Sequence, residues 1–257
     1  MEPQKPSAYK ILAVILSLAV VALIFTAFQK KVGKPQEVPT ENAPTDTTAV
    51  DWPSMETKKQ TDDLSDSKRK ITVAYPVTKS ESVNAYFKQY IDSQVKQFKD
   101  DTNWADDPSV TSASEDTLSL DIDYTHAKST RADNYIFTES AYTGGAHGLS
   151  VTKTFSFSQE GKLINVSDLF TNGLNGLKTI ATYAQAELAK RDFADKQWIA
   201  DGAGPTEDNY KNIILTDKGI SVIFDPYQVA AYAAGTQTVE IPLSVFKGIA
   251  SKQYFTQ

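Results

Sequence analysis

Cysteine is absent from all 257 residues. That excludes disulfides, thiolate nucleophiles, Cys-ligated zinc and lipidation on a cysteine, although it assigns no compartment. Histidine is nearly absent too. His126 and His147 are the two present, so a metal site would have to recruit carboxylates such as Asp121, Asp123 or Glu139, and these show no tight ligand spacing. No metal and no cofactor are expected. No nucleophile-elbow motif surrounds any serine, and the acidic pairs Asp62-Asp63 and Asp106-Asp107 are expected in polar loops, where a solvated face is the ordinary reading. Positive charge is in deficit, with 26 Lys and Arg against 32 Asp and Glu. Lys5, Lys10, Lys30, Lys31 and Lys34 fall near the N-terminus, so the rest of the chain is more acidic than the overall net charge of −6. It lacks a basic, aromatic-interleaved stripe and would repel a phosphate backbone, so nucleic acid is not an expected partner.

One long hydrophobic run is present. Ile11 to Phe28 carries no charge over 18 residues, at the lower end of what spans a hydrocarbon core of about 30 Å at about 1.5 Å per residue. The run is long for a cleaved signal peptide, and bulky Phe25 spoils the small-residue site ending at Ala27. The expectation is therefore a short cytoplasmic tail over 1–10 and a single-pass signal anchor over 11–28. The three lysines just after the span, read strictly by the positive-inside rule, would place the large domain in the cytoplasm, whereas a span this close to the N-terminus usually acts as a signal anchor. Residues 29–68 are rich in Pro, Thr, Asp, Glu and Lys and read as a disordered linker.

The folded part is expected from Arg69. Ile71, Val73 and Tyr75 alternate in a strand that Pro76 confines to an edge or an end. Val83, Tyr86, Phe87, Tyr90, Ile91, Val95 and Phe98 recur at helical spacing, predicting a helix over about 82–100 with Ser80 as its cap. After a loop, Leu118, Leu120, Ile122 and Tyr124 alternate; Tyr135, Phe137 and Tyr142 mark another strand, and Val151, Phe155 and Phe157 share one face of a third. These three neighbours predict an antiparallel meander. A turn at Glu160-Gly161 is expected to lead into a return strand from Leu163 to Val166. A second helix carries Leu174, Leu177, Ile180, Ala181, Ala184 and Leu188, followed by a hairpin over 213–215 and 220–224 and a strand over 238–241. The order predicts α+β, with two main amphipathic helices packed on antiparallel sheet, divided into subdomains over 69–170 and 171–257.

Two stretches stand out. Tyr142-Thr143-Gly144-Gly145-Ala146-His147-Gly148 places three glycines in five positions, where backbone can approach backbone or a ligand that no Cβ would admit. These glycines lack the Lys-Ser/Thr of a P-loop. The second is Asp225-Pro226-Tyr227-Gln228-Val229-Ala230-Ala231-Tyr232-Ala233-Ala234-Gly235. On these motifs, together with Gly161-Lys162-Leu163-Ile164-Asn165-Val166-Ser167-Asp168-Leu169-Phe170, the chain resembles the paired extracytoplasmic domains of RsiV-like anti-sigma factors and of PdaC-like peptidoglycan deacetylases, the PdaC-like part falling on 69–170 and the RsiV-like part on 171–257.

The resemblance implies an outside location at the cell membrane and recognition of a lysozyme-like protein or of peptidoglycan. It carries over no catalytic residues. Only ten residues precede the membrane run, where the anti-sigma proteins have a sigma-binding region, and no metal-dependent catalytic domain follows, so a tethered sensing or binding part is expected. The expected partner surface is Tyr142, Gly144, Gly145, His147 and Gly148 with Tyr227 and Tyr232. The plainer alternatives are that His147 only braces its loop and that the tyrosines are core supports. An envelope glycan-modifying enzyme or hydrolase with an unrecognised site is the alternative function.

Overall fold

The computed structural model describes residues 57–107 and 118–255. The expected tail, anchor and most of the linker lie outside these residues. Among the described residues no helix is long and apolar enough to cross a membrane.

A five-stranded sheet runs in the order β1-β2-β3-β4-β5, comprising Lys58–Asp63, Arg69–Val77, Leu118–Ser129, Ala132–Tyr142 and Leu149–Phe157. The β3-β4-β5 meander is antiparallel as its alternation predicts. Two features differ from expectation. The folded part begins before Arg69, because Lys58–Asp63 pairs antiparallel with β2 from Lys58 opposite Val77 to Asp63 opposite Thr72. Every residue of β1 but Asp62 is exposed, so its composition reads as linker while its backbone is in a ladder. The second difference is that β2 pairs parallel with β3, from Arg69 opposite Leu118 to Val73 opposite Ile122. The crossover helix between them makes this possible, since parallel neighbours need a long connection. Pro76 falls beyond the end of that pairing, where a missing N–H is harmless.

That crossover helix, α1, spans Glu81–Asp101, with the Ser80 hydroxyl accepting from the Val83 N–H. It buries Val83, Phe87, Ile91 and Phe98, each contributing roughly 1.5–3 kcal/mol. They pack on the face of the sheet that carries Tyr135, Phe137, Phe155 and Phe157. Phe87 stands at the centre, its ring 4.8 Å from that of Tyr135 and edge-on to it. Tyr86, expected on the apolar face, is 39% exposed, its ring at the margin 5.6 Å from that of Phe157.

The second sheet has the order β6-β7-β8, comprising Ile213–Thr216, Gly219–Phe224 and Gln237–Pro242, all antiparallel. Gly219 is obligatory at the β6–β7 turn: its φ is +149° and a Cβ there would lie 2.0 Å from the Ile241 carbonyl oxygen. Helix α2, Gly173–Leu188, capped by Asn172, packs against β8. The return strand expected over Leu163 to Val166 is not formed. A single bridge joins Leu163 to Phe157, and Val166–Leu169 winds into a 3-10 turn because Asn165 and Asp168 close a capping box. Ile164, Val166, Leu169 and Phe170 therefore drop into the core beneath the second sheet, on the N-terminal side of the boundary expected at 170.

Buried side-chain amides join the two sheets. Strand β6 lies against the face of β4 and β5 that α1 does not cover, and Asn134, fully buried, accepts from the Leu215 N–H at 3.0 Å and donates to the Leu215 carbonyl at 3.0 Å. Asn212 accepts from the Thr154 N–H at 3.2 Å and donates to the Thr152 carbonyl at 2.8 Å. Each amide substitutes for a missing strand neighbour, satisfying backbone groups that burial would otherwise leave without a partner.

Candidate functional site

The glycine loop joins β4 to β5, and its glycines are required by its path. Gly144 and Gly145 have φ of +98° and +107°, and the Trp104 indole lies 3.3 Å from where a Cβ on Gly144 would be. A Cβ on Gly148 would meet the Ala141 carbonyl oxygen at 2.9 Å, so the chain can turn back against β4 only with glycine there. Tyr142 donates its hydroxyl to the Gly145 carbonyl at 2.9 Å. His147 donates from Nδ1 to the Gly148 carbonyl at 2.9 Å.

The second motif follows β7. Asp225 is the hinge between the two: its carboxylate accepts from the Thr152 N–H of β5 at 2.7 Å and from Asn212 Nδ2 at 3.3 Å. Burial pushes this carboxyl above its ordinary range, while the bond from Thr152 and the charge of Lys211 pull the other way. Tyr227 has a φ of +69°, the one left-handed non-glycine among the described residues. A residue with a large side chain in this conformation stores strain, which persists only where surrounding contacts impose it.

These contacts bring both motifs together. The ring of Tyr232 stacks on that of His147 at 4.4 Å and 25°, and its hydroxyl donates to the Gly148 carbonyl at 3.1 Å. The ring of Tyr227 lies 5.4 Å from that of Tyr232. The row continues to Trp198, whose indole is 6.5 Å from Tyr227 and inclined by 30°. Trp198, Tyr227 and Tyr232 are 36%, 50% and 38% exposed, so this is a surface strip of four aromatic rings rather than part of either core.

Trp198 is the residue that sequence reasoning missed. It belongs to a short helix, α3, Lys196–Gly202, whose N-cap Asp195 accepts from the N–H groups of Gln197 and Trp198. Ile199 is buried and Trp198 beside it is not; no local pattern in the sequence marks this, because tertiary packing decides which large rings stay exposed. Helix α3 reaches the second motif through Gly202, where a Cβ would lie 1.7 Å from the Gln228 carbonyl oxygen. Gln228 in turn donates to the Gly202 carbonyl at 2.9 Å and to the Asn209 carbonyl at 3.0 Å. Trp104 lies in the 3-10 turn after α1 and is 43% exposed over Gly144.

Three of the possible metal ligands are otherwise engaged. His126 stacks on Tyr135 and bonds Asp133 at 2.9 Å, Asp123 pairs with Lys59, and Glu139 accepts from Gln94 at 2.6 Å. Among the described residues no group of three His, Asp or Glu side chains is placed to hold a metal.

Two antiparallel-dominated sheets with a crossover helix define an α+β fold represented by solved bacterial proteins. One, a DUF3298 family protein from Pseudomonas aeruginosa PAO1, superposes with a TM-score of 0.54 at 15% identity, over 79% of this chain and 98% of its own. A second family member, from Bacteroides fragilis, gives 0.52 at 19% identity over 77% and 93%. Residues 167–244 match the family model described as a protein of unknown function, DUF3298. It is also 33% identical over 188 residues to the peptidoglycan-N-acetylmuramic acid deacetylase PdaC of Bacillus subtilis, a match covering 71% of this chain and 39% of PdaC. The immunogenic protein MPT64 of Mycobacterium tuberculosis is 30% identical over 102 residues, covering 39% of this chain and 44% of its own. The chain thus spans less than half the length of these curated relatives.

Proposed function

We propose that this chain is a cell-membrane-anchored extracytoplasmic domain that binds the glycan of the cell envelope without chemically altering it, the anchor being Ile11 to Phe28. The observation carrying this reading is the exposed strip His147, Tyr232, Tyr227 and Trp198. Rigid aromatic rings offer apolar area at little conformational entropy cost, and pyranose rings present C–H faces that pack on such area. The hydroxyl of Tyr227 ends its ring where it can meet a sugar hydroxyl group, while that of Tyr232 is donated to the Gly148 carbonyl. The likeness to a peptidoglycan deacetylase supports the envelope as the setting.

The test is co-sedimentation of the detergent-solubilised full chain with purified peptidoglycan, with soluble lysozyme binding measured in parallel. Pelleting that weakens by about tenfold or more in Tyr227→Ala and Tyr232→Ala, as expected for interface anchors, would support the reading. Binding to lysozyme alone, lost in the same variants, would replace the glycan by a lysozyme-like protein. For the anchor, protease added to intact spheroplasts should digest the domain; full protection until lysis would reverse the orientation.

A further inference from the structure

A cleft of about 210 Å³ opens beside β5, away from the aromatic strip. Lys153 of β5 and Lys211 line it, as do Glu207 and Asp208 just before Lys211. Lys153 is half-buried, its ammonium 5.2 Å from the centre of the Phe155 ring. Burial, and after it the neighbouring charge of Lys211, hold its pKa below the ordinary lysine range. Among the described residues none of these four side chains makes an ion pair within 4.0 Å. Other polar groups of the lining are already used: Thr154 Oγ1 accepts from the Ile213 N–H at 3.0 Å, and the Tyr210 hydroxyl donates to the Ala203 carbonyl at 2.7 Å.

Two ammonium groups that feel each other's charge, one of them stripped of part of its hydration, are unfavourable unless something negative joins them. The Asp225 carboxylate that feels Lys211 is already taken up by the Thr152 N–H and Asn212 Nδ2. Glu207 and Asp208 stand at the same cleft without pairing to either lysine, so its formal charge is zero with both signs on offer. A purely anionic ligand would meet the carboxylates and a cation would meet the lysines. The cavity is smaller than the roughly 300–1,000 Å³ of drug-sized sites, which limits the occupant to one small group. We propose that this cleft binds an amino-acid zwitterion, its carboxylate on Lys153 and Lys211 and its ammonium toward Glu207 and Asp208. Phe155 and Leu163 in the lining leave room for a short apolar side chain. The site is independent of the aromatic strip and stands whether or not the strip binds glycan.

The experiment follows the lysine side-chain NMR signals of the full chain in detergent during titration with alanine, acetate or ethylammonium. Alanine should shift the Lys153 and Lys211 signals saturably, raise the Lys153 titration midpoint, and bind about tenfold or more tighter than either half-ligand. Lys153→Met keeps the aliphatic stem over Phe155 and removes the charge, and should abolish the response, while Tyr227→Ala should preserve it. Should Lys153→Met fail to fold, Lys211→Met carries the same expectation. Absence of a saturable shift with alanine, equal affinity for acetate, or unchanged alanine binding in the folded lysine variant would each overturn the proposal.

Discussion

Tyr232 donates its hydroxyl to the carbonyl oxygen of Gly148 at 3.1 Å across 84 positions of sequence. The same carbonyl accepts from His147 Nδ1, so one oxygen fixes both rings of the stacked pair. His147 thus braces its loop while exposed within the strip, and Tyr232 is a surface residue with a structural bond.

This double role predicts a separation between two substitutions. Tyr232→Phe keeps the stack and loses one hydrogen bond, and should cost about 0.5–1.5 kcal/mol of stability with ligand binding retained. Tyr232→Ala removes the ring and should abolish binding through the strip. Urea unfolding and peptidoglycan co-sedimentation on the two purified variants distinguish the effects, and equal loss of binding in both would show that the hydroxyl, not the ring, is what the partner needs.

The amide that joins the sheets should be among the most sensitive positions. Asn134→Ala strands the Leu215 N–H and carbonyl in a buried setting, at about 1–3 kcal/mol for each unsatisfied group. The expected outcome is a loss of at least about 2 kcal/mol in chemical unfolding. A loss of a few tenths would mean that water replaces the amide.

Two carboxylates should act on stability with opposite signs of pH dependence. The Arg69 guanidinium holds the Asp106 carboxyl below the ordinary range, so its contribution is complete above the unfolded-state pKa and is lost as pH falls through the depressed folded value. Burial raises the carboxyl of Asp225, so the folded state binds its proton more tightly than the unfolded chain and stability declines as pH rises from the unfolded value to the raised one. Asp225→Asn should remove that decline and Asp106→Asn the acid-side loss. Melting temperatures of wild type and both variants, measured from acid to neutral pH, check each sign separately.

Strand β1 makes a prediction about where the domain can be cut. A fragment starting at Thr57 keeps Lys58–Asp63 in the ladder, whereas one starting at Arg69 exposes the free edge of β2. The shorter fragment should melt lower and associate through that edge. Light scattering and thermal unfolding of the two fragments decide it, and identical behaviour would make β1 dispensable.

Much of the fold was readable from residue order because periodicity is a local property. The alternation through Leu118, Leu120 and Ile122 and through Phe155 and Phe157 is set by which side chains share a strand face, and the spacing of Val83, Phe87, Ile91 and Phe98 by which share a helix face. The two glycine- and tyrosine-bearing motifs were visible for the same reason: glycine at Gly144 and Gly148 answers a requirement of the adjacent backbone. Local pattern carries no record of which distant segment a residue will meet. The pairing of exposed Lys58–Asp63, the parallel register of β2 with β3, the amide of Asn134 against Leu215, and the stacking of Trp198, Tyr227, Tyr232 and His147 all depend on long-range docking. Gly202 illustrates the difference: in the sequence it is a break in a polar segment, and only against the Gln228 carbonyl does its missing side chain become the contact that brings Trp198 beside Tyr227.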